Sequence, residues 1–230
     1  MNLATRDVTA RIGGSPEQAL TAWEIASVVA SALIAEWVVL SIGDGAQWLI
    51  AFPLISAFAF IIYSQLTRGE SWRDLGCRVD NFGAAMRLLL PPMLAATIFC
   101  LAVGWFNESV NFSRWRGGQT ILGMPALGFL WGLLQQFILQ AFINRRAQMI
   151  WGAGWKSVLS VAFVFAALHL PNPLLTLATF TGGAVWAAVY QRTPNLFALG
   201  LSHSIMTWVL ISNIPPAALH GLRVGFKYFG

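Results

Sequence analysis

Three short motifs set polar side chains inside apolar sequence. Gln135, Gln136 and Gln140 lie in one apolar run. His169 ends a second run, with Phe165 four positions before it. His203 lies in a third, with Thr207 four positions after it. Residues four apart share a helix face, so Gln136 and Gln140 are expected together, with Gln135 about 100° round. Imidazole titrates near neutrality and can act as a base. An amide can only hydrogen-bond a water, because it has no lone pair as basic as a carboxylate's. The missing component is acidic: no Asp or Glu follows Glu108. Two histidines without a carboxylate or thiolate are a poor zinc set.

These residues must be positioned by membrane helices. The chain has 230 residues, 57% hydrophobic and 10% charged, with mean hydropathy +0.65. Soluble domains carry about 25% charged residues. Apolar runs of about 20 residues suit bilayer spans. Seven are expected: Trp23–Ile42, Gln47–Leu66, Ala84–Phe106, Thr120–Ile143, Val158–Leu170, Leu174–Tyr190 and Leu196–Ile214. The fold class is therefore an all-α polytopic transmembrane helix bundle of seven spans, or eight if the tail crosses. Residues 1–22 form a polar N-terminus without the layout of a signal peptide. Residues 23–214 form the bundle and 215–230 the tail. Gly43-Asp44-Gly45 breaks the first run, Pro91-Pro92 predicts a kink in the third, and Arg145-Arg146 closes the fourth. Gly182-Gly183 with Ala184, Ala187 and Ala188 gives the sixth a small-residue packing face.

The charges set the expected orientation. Arg6, Arg11, the Arg68–Arg87 region, Arg145, Arg146, Lys156 and Arg192 fall on one side of a seven-span bundle. By the positive-inside bias this side is cytoplasmic, and so is the N-terminus. Arg114 and Arg116 fall on the other side. Tryptophans near span ends, such as Trp23, Trp105 and Trp155, suit an aromatic belt. No solvated basic face for nucleic acid is present. Cys77 and Cys100 are too few and too far apart for a disulfide framework.

Polar groups in a bilayer are costly unless paired, so six of them on three spans point to a shared interior site. Their order resembles the three motifs of the CAAX-protease and bacteriocin-processing family of intramembrane endopeptidases, which read Glu-Glu-x-x-x-Arg, Phe-x-x-x-His and His-x-x-x-Asn. Ser71-Trp72-Arg73-Asp74-Leu75-Gly76 and Pro194-Asn195 also look like family segments, so the resemblance covers roughly residues 71–212. It implies a site at Gln135, Gln136, Gln140, His169, His203 and Thr207. By position, Gln135 replaces the water-activating Glu and Gln136 its neighbour. Gln140 stands for the Arg and Thr207 for the Asn, while Phe165, His169 and His203 are kept. Losing a general base typically costs roughly 10²–10⁴-fold.

Three functions are therefore expected in turn. The first is a weakly or non-catalytic pseudoenzyme of the bacterial inner membrane, a binding or scaffold protein for a transmembrane segment, a lipidated peptide or a membrane-complex partner among the lipids, without a cofactor. The second is an active intramembrane peptidase using His169 and His203 with an unusual base. The third is a subunit in which a histidine ligates haem or a chlorophyll-type pigment. Glu36, mid-span in the first run, either finds an interior partner such as Arg87 or an amide, reaches water at a helix end, or lends the site a carboxylate.

Overall fold

The computed structural model describes residues 15–42, 48–114 and 123–230, with side chains from 127 onward in the fourth helix. Residues 1–14, the Gly43-Asp44-Gly45 break, Trp115, Arg116 and the expected start at Thr120 lie outside the described residues.

Helix α1 spans Pro16–Leu33 and starts at a capping box. Ser15 Oγ accepts the Gln18 N–H, and Gln18 Oε1 accepts the Ser15 N–H. This satisfies donors that a helix start otherwise leaves free, and places the start seven residues before the apolar run at Trp23. The rod continues as a π-helical turn, Ile34–Val38, and a 3-10 turn, Val39–Ser41. Helix α2 is Ala51–Thr67 and α3 is Phe82–Phe106, which runs unbroken through Pro91 and Pro92. Helix α4, Gly123–Gln136, passes into a π-helix, Phe137–Asn144, and then α5, Arg145–Trp151. Helices α6 (Trp155–Ala167), α7 (Pro173–Arg192) and α8 (Leu196–Asn213) follow. Among the described residues, six helices are long and apolar enough to cross a membrane, and α6 is a shorter apolar helix. The all-α bundle stands. The tail makes only short turns, beginning with α9, Pro216–Leu219. At about 1.5 Å per residue, so short a helix cannot cross a core about 30 Å thick.

Arg145-Arg146 does not close the fourth helix. Both lie inside a continuous rod, and Arg146 is fully buried. Burial is tolerable because Arg146 is paired: Nη1 and Nη2 donate to Glu70 at 2.9 and 3.0 Å, and Nη2 also reaches Ser64 Oγ at 3.0 Å. Its Nε lies 2.9 Å from Glu24, close but off the hydrogen-bond angle. Arg68 pairs with Glu24 at 3.1 Å and Arg145 with Glu70 at 2.9 Å. Three arginines and two carboxylates thus lock α1, α2 and α5 together at the basic end of the bundle.

Helix α1 packs on α2 and α5; α3 and α4 both pack on α8, and α6 on α7, and one buried core joins α1 and α2 to α3, α6, α7 and α8. Gly183, from the small-residue face of α7, faces Ala162 and Phe165 of α6 as expected. The α4–α8 crossing is closer still. A Cβ on Gly132 would lie 2.9 Å from the Gly200 carbonyl oxygen, and one on Gly200 would lie 3.0 Å from Leu133 Cα. The two segments likened to the family also meet. Gly76 O accepts the Leu196 N–H at 2.9 Å, and Asn195 donates to Arg78 O while its Oδ1 caps α8 at Ala198.

Candidate functional site

Between these helices lies a cavity of about 1400 Å³ with mainly apolar walls. Its polar lining includes Gln135, His169, His203 and Thr207, so four of the six sequence-derived positions meet at one space. Glu36 lines it too, from the π-helical turn that continues α1.

His203 is positioned by contacts from three helices. The glycine crossing brings α4 so close that a Cβ on Gly132 would sit 3.4 Å from His203 Cβ. One turn further on, Gln136 Nε2 lies 3.0 Å from His203 Nδ1, and both residues are buried. With the amide N–H donating, the imidazole carries its proton on Nε2. Trp186 of α7 stacks on the ring, centroids 4.5 Å apart and 13° from parallel. Its own Nε1–H donates to Ser202 Oγ at 2.9 Å, which fixes the indole.

His169 lies just past the end of α6. Its Nδ1–H donates to the Phe165 carbonyl at 2.8 Å. A carbonyl only accepts, so in the neutral imidazole Nε2 keeps a free lone pair. The Phe165 ring stands edge-on to His169 at 4.8 Å and to His203 at 5.9 Å. The second motif thus supports both imidazoles through one aromatic ring and one carbonyl.

Gln140 does not join them. It is fully buried in the π-helix, where its Oε1 accepts from Asn144 Nδ2 at 2.8 Å. Asn144 continues to Ala187 O, Gln148 and Gln191, and Gln191 to Ser157, a ladder of amides running toward the basic end. A π turn closes i→i+5 instead of i→i+4, so positions 136 and 140 no longer stack as on an α-helix.

The tail also reaches the site, which no local sequence pattern announces. Asn172, fully buried, caps α7 at Leu175 and donates to Leu219 O and Arg223 O, tying the His169 loop to the tail. Gly225 N–H donates to Leu170 O at 2.8 Å, and its other side abuts Glu36. Leu222 and Val224 complete that wall of the cavity. Arg87 is exposed on α3 and shares no ion pair with Glu36 among the described residues. Glu36 Oε2 is buried without a hydrogen-bond partner. Arg114 also lines the cavity, but its guanidinium donates to the Ser109, Ile211 and Ile214 carbonyls at the end of α8. Trp186 gave one sequence signal, an aromatic in mid-span one turn after the Gly182-Gly183 pair. Among the described residues, no group of three or more His, Cys, Asp or Glu side chains could hold a metal ion.

Residues 117–209 match the family model of type II CAAX prenyl endopeptidase Rce1-like proteins. This segment holds all three motifs and Pro194-Asn195, which bears out the resemblance there; the Ser71–Gly76 loop lies outside it. No curated protein and no solved structure matches the chain. With its apolar helices, the chain is an integral membrane protein carrying a CAAX-protease-like segment.

Proposed function

We propose that this protein is a non-hydrolytic member of the CAAX-protease-like group, a receptor that holds an apolar chain in its interior cavity. The occupant is a lipidated peptide or a transmembrane segment of a membrane partner, and the host is the bacterial inner membrane with the basic end cytoplasmic. The observation that carries this reading is the cavity itself. It is large and apolar, it is reached by His169, His203 and Thr207, and it presents the amide of Gln135 where the family's motif has a carboxylate. Its walls include Leu54, Phe58, Phe99, Trp131 and Leu177, all of them exposed. An apolar chain could therefore enter sideways from lipid.

The test is a photoreactive lipidated peptide added to the purified protein in nanodiscs. The expected result is crosslinking to cavity residues with the peptide recovered intact. Catalytic turnover of the peptide would overturn the non-hydrolytic assignment. A second reading has one specific observation in its favour: Glu36 faces the same cavity as His169. In it, the carboxylate of α1 replaces the missing base of an active peptidase, and Glu36→Gln would abolish any turnover seen.

A further inference from the structure

On the tail side of the cavity wall, two side chains keep acceptors without a donor. Glu36 Oε2 is a buried acceptor without a donor. His169 Nε2 is an acceptor, because Nδ1–H is committed to Phe165 O. Both residues line the cavity, and one residue of the tail contacts both of their segments. Gly225 holds Leu170, next to His169, by its N–H, and touches Glu36 on its other side. The one guanidinium among the described lining residues, Arg114, is used by three carbonyls. An unpaired carboxylate in an apolar membrane cavity is costly, and a partner that brings both positive charge and several donors removes that cost.

We propose that the cavity takes an apolar chain ending in a primary ammonium, whose N–H groups are accepted by the Glu36 carboxylate and His169 Nε2. An ammonium offers three donors and no acceptor, the complement of these two groups. This rests on the reading that the cavity receives an apolar chain, and specifies that chain's polar end. An aminolipid headgroup and the lysine of a transmembrane segment share this chemistry.

The experiment compares three amphiphiles of equal chain length on the protein in nanodiscs: a primary alkylamine, its trimethylammonium analogue and the alkanol. Binding is read by native mass spectrometry. The amine should bind about tenfold more tightly than either analogue, the advantage of one charge-assisted hydrogen bond. Glu36→Gln should erase that advantage while alkanol binding persists, which also shows that the variant is folded; Glu36→Asp should keep part of it. Equal binding of amine and trimethylammonium, or an amine preference unchanged in Glu36→Gln, overturns the inference while the receptor reading stands. Binding of none of the three overturns both. Phosphatidylethanolamine is then set against phosphatidylcholine, and a one-lysine transmembrane peptide against its norleucine version. Preference in either arm supports the proposal and names the source, and preference in neither overturns it.

Discussion

Gly225 lies against Glu36 so closely that a Cβ built on the glycine would fall 2.6 Å from the Glu36 carbonyl oxygen and 2.8 Å from its Cβ. The tail is thereby fitted to the π-helical turn that carries the cavity's one carboxylate among the described residues. Gly225 also has φ +56°, where a side chain is strained. Gly225→Ala should therefore release the tail, through overlap with a backbone atom and a backbone cost of order 1–3 kcal/mol. The expected signs are a lower thermal midpoint and faster tryptic cleavage at Arg223 and Lys227. An unchanged cleavage rate would mean that the tail is held elsewhere.

The α4–α8 crossing sets the distance between the first and third motifs. Gly132→Ala would place a methyl 2.9 Å from the Gly200 carbonyl oxygen, with helix backbone on both sides. Overpacking of this kind typically costs about 1–3 kcal/mol. Separation of the helices should also stretch the 3.0 Å contact from Gln136 to His203. Nitrogen NMR of the labelled imidazole should report the change at Nδ1, with Gln136→Leu giving the limiting shift. The same resonance in Gly132→Ala and wild type would show that the crossing does not control the pair.

At the basic end, burial alone would raise the Glu70 pKa. The hydrogen bonds and charges of Arg146 and Arg145 outweigh burial and hold the carboxyl below its ordinary value. A carboxyl whose folded pKa is depressed contributes stability above its unfolded pKa, and loses it as pH falls through the folded one. The window therefore opens near the ordinary value of 4.5 and extends downward. Glu70→Gln should lower the thermal midpoint near neutrality, and its deficit against wild type should shrink as pH falls through that window. A deficit constant with pH would mean that Glu70 acts by packing alone.

The pairing at Arg146 makes a larger forecast. Arg146→Met would leave Glu24 and Glu70 buried beside each other without their shared cation. Removing one partner of a buried ion pair typically costs about 3–5 kcal/mol. The variant should insert poorly, and Glu24→Gln/Glu70→Gln in the Arg146→Met background should recover part of the loss, as read by folded yield and thermal midpoint. No recovery would show that Arg146 acts through its packing on Phe142, over whose ring it lies at 5.0 Å.

How far the sequence could be read depended on whether each cause was local. The spans were legible from hydropathy because length and polarity are local properties. That Gln135, His169, His203 and Thr207 line one cavity was legible because spacing within each motif survives folding. Arg145 and Arg146 were misplaced for a physical reason. A charged pair looks like a helix end unless its carboxylates are known, and Glu24 and Glu70 lie far away in sequence. Gln140 parted from Gln136 because the helix is π-wound there, which spacing does not announce. The cavity side of Glu36 depends on Gly225, nearly two hundred residues later, and no local pattern joins the two.

Gln135 is half-exposed to the cavity, whereas Gln136 and Gln140 are fully buried and hydrogen-bonded to His203 and Asn144. Only position 135 can therefore take a carboxylate without breaking an existing pair. Gln135→Glu would place a proton acceptor on the same cavity as His169, whose free Nε2 can share the proton of a water between them. If the cavity retains the family's substrate geometry, this one change should raise cleavage of a lipidated peptide above wild type by roughly 10²–10⁴-fold, the usual worth of a general base. Gln136→Glu should give no such gain, because that carboxylate would be spent on His203. Equal turnover in wild type and Gln135→Glu would show that a carboxylate at position 135 does not set the rate of cleavage. Measurable wild-type turnover that falls in Glu36→Gln would instead transfer the base to α1 and make the protein a peptidase.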